Sequence, residues 1–209
     1  QIVAKTGRER FYDFFKAFGM NTQTGIDLPN ESPGIFFDTS NLTSWNEVSL
    51  AVASFGQRFQ VTPVQMASMV SAIVDDGKLK KPYVVKEILG ADGSIKSSTE
   101  TEVVRQVISE ETSAYMRDAM LQVVEQGTGK NAYVPGYRVG GKTATSEIRK
   151  EATDTEDRYT ASFIGVAPMD DPQIVVLVAI SDLPESVAHG GGAIAAPVVG
   201  RIMEDVLPY

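Results

Sequence analysis

Residues 140–146, Gly-Gly-Lys-Thr-Ala-Thr-Ser, combine a cation, hydroxyl groups and glycines, and two chemistries could use them. From Gly136 to Thr143 the sequence satisfies the phosphate-loop pattern G-x-x-x-x-G-K-[ST] in full. Alternatively, an exposed strand edge could present Lys142, threonine hydroxyls and free backbone N–H groups to a substrate. Such N–H groups can stabilise a developing oxyanion, which is often the largest contribution to acyl-transfer catalysis.

The surroundings of this segment favour the strand. A phosphate loop follows a buried strand and opens a helix, whose N-terminal N–H groups hold the phosphates. Residues 127–135 are turn-like, and residues 146–157 are charged and hydroxylic with no apolar helical period, which predicts a solvated connection. Side chains of adjacent strand residues point to opposite faces, so Lys142 and Thr143 can serve one site only at a sheet edge. We therefore predict an edge strand over 137–145 and place nucleotide binding last.

Composition excludes several other classes of function. The chain has 209 residues, of which 43% are hydrophobic and 22% are charged, as in ordinary globular domains. It has no Cys and one His, which excludes disulfides, thiolate chemistry and multi-histidine metal sites, and we expect no cofactor. The net charge of −8 disfavours binding to nucleic acid or to an anionic membrane. No apolar run reaches the roughly 18 residues of a membrane span.

Helix and strand signals predict an α+β fold. One helix should begin at Thr62, with a capping box to Gln65, and end at Gly77. Apolar periodicity predicts further helices over 7–18, 109–126 and 193–206. Strands are predicted over 82–89, 102–108, 137–145, 158–167 and 173–181.

Two details of the predicted strands can be tested by the structure. Asp92-Gly93 marks a hairpin turn between the first two strands. The nearly continuous apolar run over 174–180 predicts a central strand that is covered on both faces. The predicted order is helices, then antiparallel strands, then a final helix, which is typical of an α+β domain.

Stretches along the whole chain carry a family resemblance. Besides Gly141-Lys142-Thr143 they are GRERFY at 7–12, KAFG at 16–19, TGIDLP at 24–29, ASFGQ at 53–57, VTPVQM at 61–66, GTG at 127–129 and ASFIGVAP at 161–168. In this order they resemble the C-terminal part of the transpeptidase domain of class B penicillin-binding proteins. The resemblance spans essentially all 209 residues. It implies part of a penicillin-binding protein/serine β-lactamase-like fold, an antiparallel sheet flanked by helices.

The resemblance also implies a chemistry and a location. The family cross-links peptidoglycan during cell-wall synthesis, is acylated by β-lactam antibiotics, and lies on the outer face of the cell membrane on an N-terminal anchor. The Ser of an S-x-x-K motif attacks the D-Ala-D-Ala carbonyl of a stem peptide, and a Ser-x-Asn motif relays protons. An amine of a second stem peptide then attacks the seryl acyl-enzyme.

The family's third motif, carried over onto this sequence, gives the expected site residues. The resemblance implies that Lys142 supplies positive charge, that Thr143 and Thr145 bind the substrate carboxylate, and that the Thr145 N–H is half of the oxyanion hole. The substrate-binding strand then runs from Gly141 through Thr145. Ala144 departs from the family, which favours Gly there. Its Cβ narrows the space beside the backbone, so we expect it to lower β-lactam acylation.

The first two motifs are not found in this sequence. No Ser is followed three residues later by Lys, and Ser44-Trp45-Asn46 falls after the family's Ser-x-Asn position, so we interpret it as a loop ending in a helix cap. We expect 1–209 to be the C-terminal part of one transpeptidase domain, with its nucleophile on the N-terminal half. The chain alone should then be inactive. It should also expose the face that the missing half covers, through which it could dimerise.

Other interpretations stay open. A penicillin-family module could serve as a binding or scaffold module without catalysis, which Ala144 and the absent nucleophile both permit. A serine β-lactamase relative is a further alternative. His189, followed by three glycines, could be a general base, but a flexible surface turn is preferred because the family's chemistry uses Lys and Ser.

Overall fold

The computed structural model describes residues 2–35, 47–57, 59–148 and 156–208. These divide into two compact units: Gln1–Ala72 with Gly77–Ser109, and Ile73–Asp76 with Glu110–Tyr209. The predicted loop at Ser44-Trp45-Asn46 and residues 149–155 of the predicted connection lie outside the described residues. Within the described part of the chain, no helix has the length and apolarity needed to cross a bilayer.

The first unit contains helices and two small antiparallel sheets. Its elements, with α4 extending into the second unit, are α1 (Ile2–Thr6), α2 (Arg8–Ala17), α3 (Glu47–Ala53), α4 (Pro63–Val74), β1 (Lys78–Lys80), β2 (Glu87–Leu89), β3 (Ile95–Ser98) and β4 (Val103–Gln106). The predicted helix over 7–18 is confirmed as α2. Gly7, at a φ of 80°, separates α2 from α1.

The predicted capping box at the start of α4 is confirmed in both directions. The Thr62 N–H donates to Gln65 Oε1 at 2.8 Å, and the Gln65 N–H donates to Thr62 Oγ1 at 3.2 Å. The buried Gln65 amide also donates to the carbonyls of Thr22 and Pro33, at 2.7 and 3.0 Å. One side chain therefore caps the helix and holds the preceding loop against it.

The predicted pairing of strands around Asp92-Gly93 is wrong. β2 pairs with β3, across a turn where Gly93 has a φ of 79°, whereas β4 pairs with β1. A tight turn joins only the residues that flank it directly. The segment Ile-Lys-Ser-Ser of β3 lacks the aliphatic alternation that marks a strand, so periodicity could not reveal it.

Two carboxylates in the first unit accept hydrogen bonds that stabilise their charged forms. Asp27 accepts the backbone N–H groups of Val84 and Val85, at 2.7 and 2.8 Å, and these bonds hold its pKa below the ordinary value. Burial raises the pKa of Glu31, but hydrogen bonds from the Thr24 hydroxyl and from nearby backbone N–H groups outweigh it and leave that pKa lowered. Both carboxylates therefore stabilise the unit when ionised.

We expect the link between Asp27 and the Val84–Val85 backbone to weaken in acid. Because the folded-state pKa is lowered, the stabilisation is complete above the ordinary pKa and is lost as the pH falls through the folded-state value, below about 4. Amide hydrogen exchange at Val84 and Val85, corrected for its intrinsic pH dependence, should accelerate over that range. An Asp27→Asn variant should show no such step. Unchanged protection down to pH 2.5 would contradict the prediction.

The second unit carries the main sheet. After α5 (Glu110–Glu125) and a 3-10 turn (Lys130–Ala132) come β5 (Gly140–Ile148), β6 (Arg158–Ala167), β7 (Ile174–Pro184), α6 (Gly191–Ile194) and α7 (Ala196–Val206). The strands pair antiparallel in the order β5-β6-β7. The α+β class is confirmed, and so, among the described strands, is the edge position of the predicted 137–145 strand, although β5 begins and ends three residues later. The predicted last helix is divided at Ala195.

A single hydrophobic core holds this sheet against its helices. Phe163 of β6 is fully buried, and Val199 and Met203 of α7 pack into the same cluster with Val124 of α5. Burial of such side chains is worth roughly 1.5–3 kcal/mol each. The core therefore fixes β6, against which β5 is paired.

The strand predicted over 174–180 is confirmed as β7, and its central position stays a prediction for the complete domain. Among the described strands β7 has one neighbour, β6, and its apolar side chains from Ile174 to Val178 are half-buried. Ile174, Val176 and Val178 pack against the core cluster. The alternate residues point to the other face.

Candidate active site

The residues singled out by the sequence lie together on β5. Lys142 is opposite Ile164 of β6, and Thr143 is opposite Phe163. The phosphate-loop interpretation is therefore wrong, because Gly141, Lys142 and Thr143 are paired strand residues rather than a loop that opens a helix. β5 has β6 on one side only among the described strands, so its other edge carries the backbone groups that the sheet leaves unpaired.

Two glycines let the start of β5 lie close to its neighbours. Gly140 and Gly141 are both buried. A Cβ on Gly141 would lie 2.6 Å from the Ile164 carbonyl oxygen and overlap the Phe163 ring, and one on Gly140 would lie 2.7 Å from the Met169 sulfur. Packing alone therefore requires glycine at Gly141, which the resemblance had placed in the substrate-binding strand.

The threonine hydroxyls of β5 lie on one face of the strand. Thr143 Oγ1 is 3.1 Å from Thr128 Oγ1, and Thr145 Oγ1 accepts the Gly191 N–H at 3.3 Å. Thr143 is half-buried and Thr145 is exposed. Residues two apart on a strand share a face, so these hydroxyls form a short polar row.

Lys142 and Ala144 occupy the alternate positions and are exposed. The Lys142 side chain bends back along the strand, and its Nζ donates to the Thr143 carbonyl oxygen at 2.7 Å. This bend brings the ammonium group to the backbone of β5. A cation on one face and hydroxyls on the other thus meet along one edge strand, as the sequence predicted.

The turn before β5 adds two residues that the sequence did not single out individually. Thr128 reaches Thr143, and Asn131 Nδ2 donates to the Gly192 carbonyl oxygen at 2.8 Å. The Gly-Thr-Gly stretch at 127–129 had been noted only as part of the family resemblance. A contact across 61 residues of chain leaves no periodic signal, so only the structure could reveal the role of Asn131.

The surface turn predicted at 189–192 is wrong for Gly191 and Gly192, which lie in a helix. The His189 ring stacks on Tyr159, with centroids 4.1 Å apart and planes 13° apart, and its Nδ1 lies 2.9 Å from the Val187 carbonyl oxygen. Gly191 and Gly192 begin α6, and Gly191 is buried. The glycines therefore permit close packing rather than flexibility.

No group of three or more His, Cys, Asp or Glu side chains placed to hold a metal ion occurs among the described residues. The chemical groups that β5 presents are a primary ammonium, two hydroxyls and backbone amides. Such an array can bind a carboxylate and stabilise the oxyanion of an acyl group.

Comparison with known proteins gives a consistent picture of the family. A family model described as the penicillin binding protein transpeptidase domain matches residues 1–204. The chain is 44% identical over 211 residues to the stage V sporulation protein D of Bacillus subtilis (strain 168), covering 100% of this chain and 32% of that protein. It is 30% identical to a probable peptidoglycan D,D-transpeptidase of Neisseria gonorrhoeae, covering 97% of this chain and 32% of that protein. The chain thus spans about a third of the length of these curated relatives.

Solved structures support the predicted fold. The apo crystal structure of penicillin binding protein 3 from Mycobacterium tuberculosis superposes with a TM-score of 0.85 at 30% identity, covering 99% of this chain and 48% of that one. The same protein complexed with aztreonam gives a TM-score of 0.83 at 28% identity, covering 98% and 48%. The predicted transpeptidase-like fold is confirmed.

Proposed function

Because the chain belongs to the penicillin-binding protein transpeptidase domain family, we propose that it contributes to a peptidoglycan D,D-transpeptidase. The observation that carries this proposal is the exposed edge strand β5, with Lys142 bent along its backbone and the hydroxyls of Thr143 and Thr145 on its opposite face. A D-Ala-D-Ala stem peptide offers the matching groups, which are a terminal carboxylate and the carbonyl of the penultimate D-Ala. No cofactor is required for this chemistry.

The reaction proceeds through two acyl transfers. A Ser outside 1–209 attacks the carbonyl of the penultimate D-Ala, its proton passes to the leaving amine, and the terminal D-Ala departs. The amine of a second stem peptide then attacks the seryl ester, forms the cross-link and returns the Ser hydroxyl. Each tetrahedral intermediate carries an oxyanion. The backbone N–H of Thr145 donates to that oxygen, together with an N–H at the Ser.

The residues of β5 bind and orient the substrate in both steps. The ammonium of Lys142 provides positive charge near the proton relay and the substrate carboxylate. Thr143 and Thr145 donate hydroxyl hydrogen bonds to that carboxylate, and charge-assisted bonds of this kind are about twice as strong as neutral ones. Gly141 and Ala144 form the backbone strip along which the peptide lies.

β-Lactams are expected to acylate the same Ser. A relative of this chain has been solved in complex with aztreonam, which supports the expectation. Fluorescent penicillin should therefore label the full-length protein, and mass spectrometry should map the label to a Ser outside 1–209. The isolated chain 1–209 should remain unlabelled. Failure to label the full-length protein would overturn the proposed function, and a label on a Ser within 1–209 would overturn the assignment of the nucleophile.

The remaining part of the domain is the expected partner of this chain. We place it against the apolar strand β7, whose side chains from Ile174 to Val178 are half-buried and whose outer edge lacks a neighbour among the described strands. Without it, the isolated chain should dimerise through that surface. The complete protein is proposed to act outside the cytoplasmic membrane, held by an N-terminal anchor, because its substrate is the cell wall.

Ala144 favours a second candidate function, a binding or scaffold module that does not catalyse. It occupies an exposed position of β5 at which the family favours glycine. The two functions differ in the full-length sequence, where intact S-x-x-K and Ser-x-Asn motifs would favour the enzyme. They also differ in the labelling experiment, because a scaffold would not form a covalent penicillin adduct.

An Ala144→Gly variant of the full-length protein should be acylated faster by penicillin. The Cβ of Ala144 lies on the exposed strand along which the substrate packs, so its removal should widen the site. We expect a several-fold higher rate constant, which corresponds to a barrier lower by about 1 kcal/mol. Stopped-flow fluorescence measures this rate. An equal or slower rate in Ala144→Gly would dismiss the steric explanation.

A further inference from the structure

We propose that Asn131 is a positioning residue of the β5 site, which acts through α6 on the hydroxyl of Thr145. The inference rests on the proposed function, since it concerns how the same site binds a carboxylate. Three hydrogen bonds carry it. The Asn131 amide donates to the Gly192 carbonyl oxygen, and the Gly191 N–H donates to the Thr145 hydroxyl. The third joins the hydroxyls of Thr128 and Thr143.

The turn that carries Asn131 is fixed by packing. The Gly129 N–H donates to the Val123 carbonyl oxygen at 2.9 Å, and a Cβ at Gly129 would lie 2.9 Å from the buried Phe163 ring. The backbone of Asn131 also approaches α7 closely, because a Cβ at Gly200 would lie 3.1 Å from the Asn131 carbonyl oxygen. The turn is therefore anchored to the core on two sides.

From this anchored turn, two side chains reach two different elements. Thr128 lies just before the 3-10 turn and Asn131 lies within it. Thr128 contacts the hydroxyl of Thr143 on β5, whereas the Asn131 amide donates to the Gly192 carbonyl oxygen of α6 at 2.8 Å. One rigid turn thus sets the separation between the strand and the start of the helix.

That separation determines what the Thr145 hydroxyl can do. A hydroxyl has one donor and two acceptor sites. Thr145 Oγ1 accepts the Gly191 N–H, so this interaction occupies a lone pair and leaves the proton free to be donated. Thr145 is an exposed residue, so the free proton can be donated to an anion that binds beside the strand. If α6 moves away, the hydroxyl can rotate and the preorganisation is lost.

Asn131→Ala and Asn131→Asp in the full-length protein test this role. Alanine removes the amide, and aspartate retains the shape but places a carboxylate oxygen against the Gly192 carbonyl oxygen. The probes are benzylpenicillin and its methyl ester, which lacks the negative charge. We expect the acylation rate constant for benzylpenicillin to fall about tenfold in both variants, and that for the ester to change less than about twofold.

The two ligands separate positioning from a general structural effect. An equal loss with both ligands would overturn the proposal, and so would no loss with either. A Thr145→Val background provides a second test, because Asn131→Ala should then cause no further loss with benzylpenicillin. Additive losses would contradict a route through Thr145.

A matched control is Gln173→Ala in the turn between β6 and β7. Gln173 is also an exposed amide side chain that donates to a nearby carbonyl oxygen, that of Asp171, at 3.3 Å. Its replacement should leave acylation by both ligands unchanged. A wild-type protein that penicillin does not label would refute the proposed function itself, whereas a labelled wild type with unaffected Asn131 variants refutes only the positioning role.

Discussion

Replacing Gly191 by alanine in the full-length protein should lower β-lactam acylation by about 10² and destabilise the fold, whereas Gly190→Ala should change neither. Gly191 is buried at the start of α6, where an added Cβ would lie 2.6 Å from the Ala144 carbonyl oxygen and closer still to that of Ser162. Both atoms belong to the backbone of paired strands. They cannot move without disturbing β5 and β6, so α6 has to shift instead.

The shift of α6 should affect stability and function together. Overpacking of this kind typically costs about 1–3 kcal/mol of unfolding free energy. It also displaces the Gly191 N–H from Thr145 Oγ1, and misplacement by about 1 Å of a group that orients substrate can cost about 10² in rate. Thermal unfolding and stopped-flow acylation measure the two effects.

Gly190 is a closely matched control because neither glycine has a positive φ, whereas only Gly191 is crowded. Its φ of −79° and ψ of 132° suit any residue, and a Cβ there would have no atom within 4 Å. Gly190→Ala should therefore leave stability within about 0.5 kcal/mol of the wild type. If the two variants behaved alike, close packing at Gly191 would not be the reason for its glycine.

The contrast between these glycines also explains why the sequence was misleading here. Glycine marks both flexible turns and close backbone approaches, and the sequence does not distinguish them. Three glycines after His189 predicted a flexible turn, but the structure uses Gly191 and Gly192 to bring α6 against β5 and the preceding turn. Which glycine is indispensable depends on atoms that are distant in sequence.

The edge strand, in contrast, could be predicted because its signals are local. Alternation over 137–145 predicted the strand, and its edge position followed from the expectation that Lys142 and Thr143 serve one site. The capping box of α4 is local as well, and the structure confirms it. Asn131 was missed because its contribution depends on a carbonyl group that the fold brings to it.

The same division holds for the pairing of strands. β2 and β4 were found as strands from their composition, but they were wrongly expected to pair with each other. Pairing depends on which segments the tertiary fold places side by side, and register within a sheet is a non-local property. Composition identifies an apolar strand without showing what covers it.

Lys142→Met in the full-length protein should lower the acylation rate constant by about 10²–10³ while leaving the fold intact. Methionine retains most of the aliphatic stem, so the change removes mainly the charge. Loss of one electrostatic stabiliser of an acyl-transfer transition state commonly costs this much. Lys142 is exposed on β5, and we expect the unfolding free energy to stay within about 0.5 kcal/mol.

Lys130→Met is the matched control for Lys142→Met. It removes the same charge from an exposed position in the 3-10 turn before β5, so it alters the net charge of the second unit equally. Its acylation rate should change less than about twofold, because a solvent-exposed charge that makes no direct contact with the substrate contributes little. Equal losses in both variants would indicate a general charge effect instead of a specific site.

Lys142→Arg tests whether the site requires a compact ammonium group or accepts any positively charged group. The planar guanidinium retains the charge but presents it in a fork that an ammonium site fits poorly. We therefore expect Lys142→Arg to recover part of the rate lost in Lys142→Met, because the carboxylate still meets a cation, without reaching the wild-type value. Full activity in Lys142→Met would remove the basis for assigning the edge of β5 as the site, since its ammonium is the one formal charge on the strip from Gly141 to Thr145.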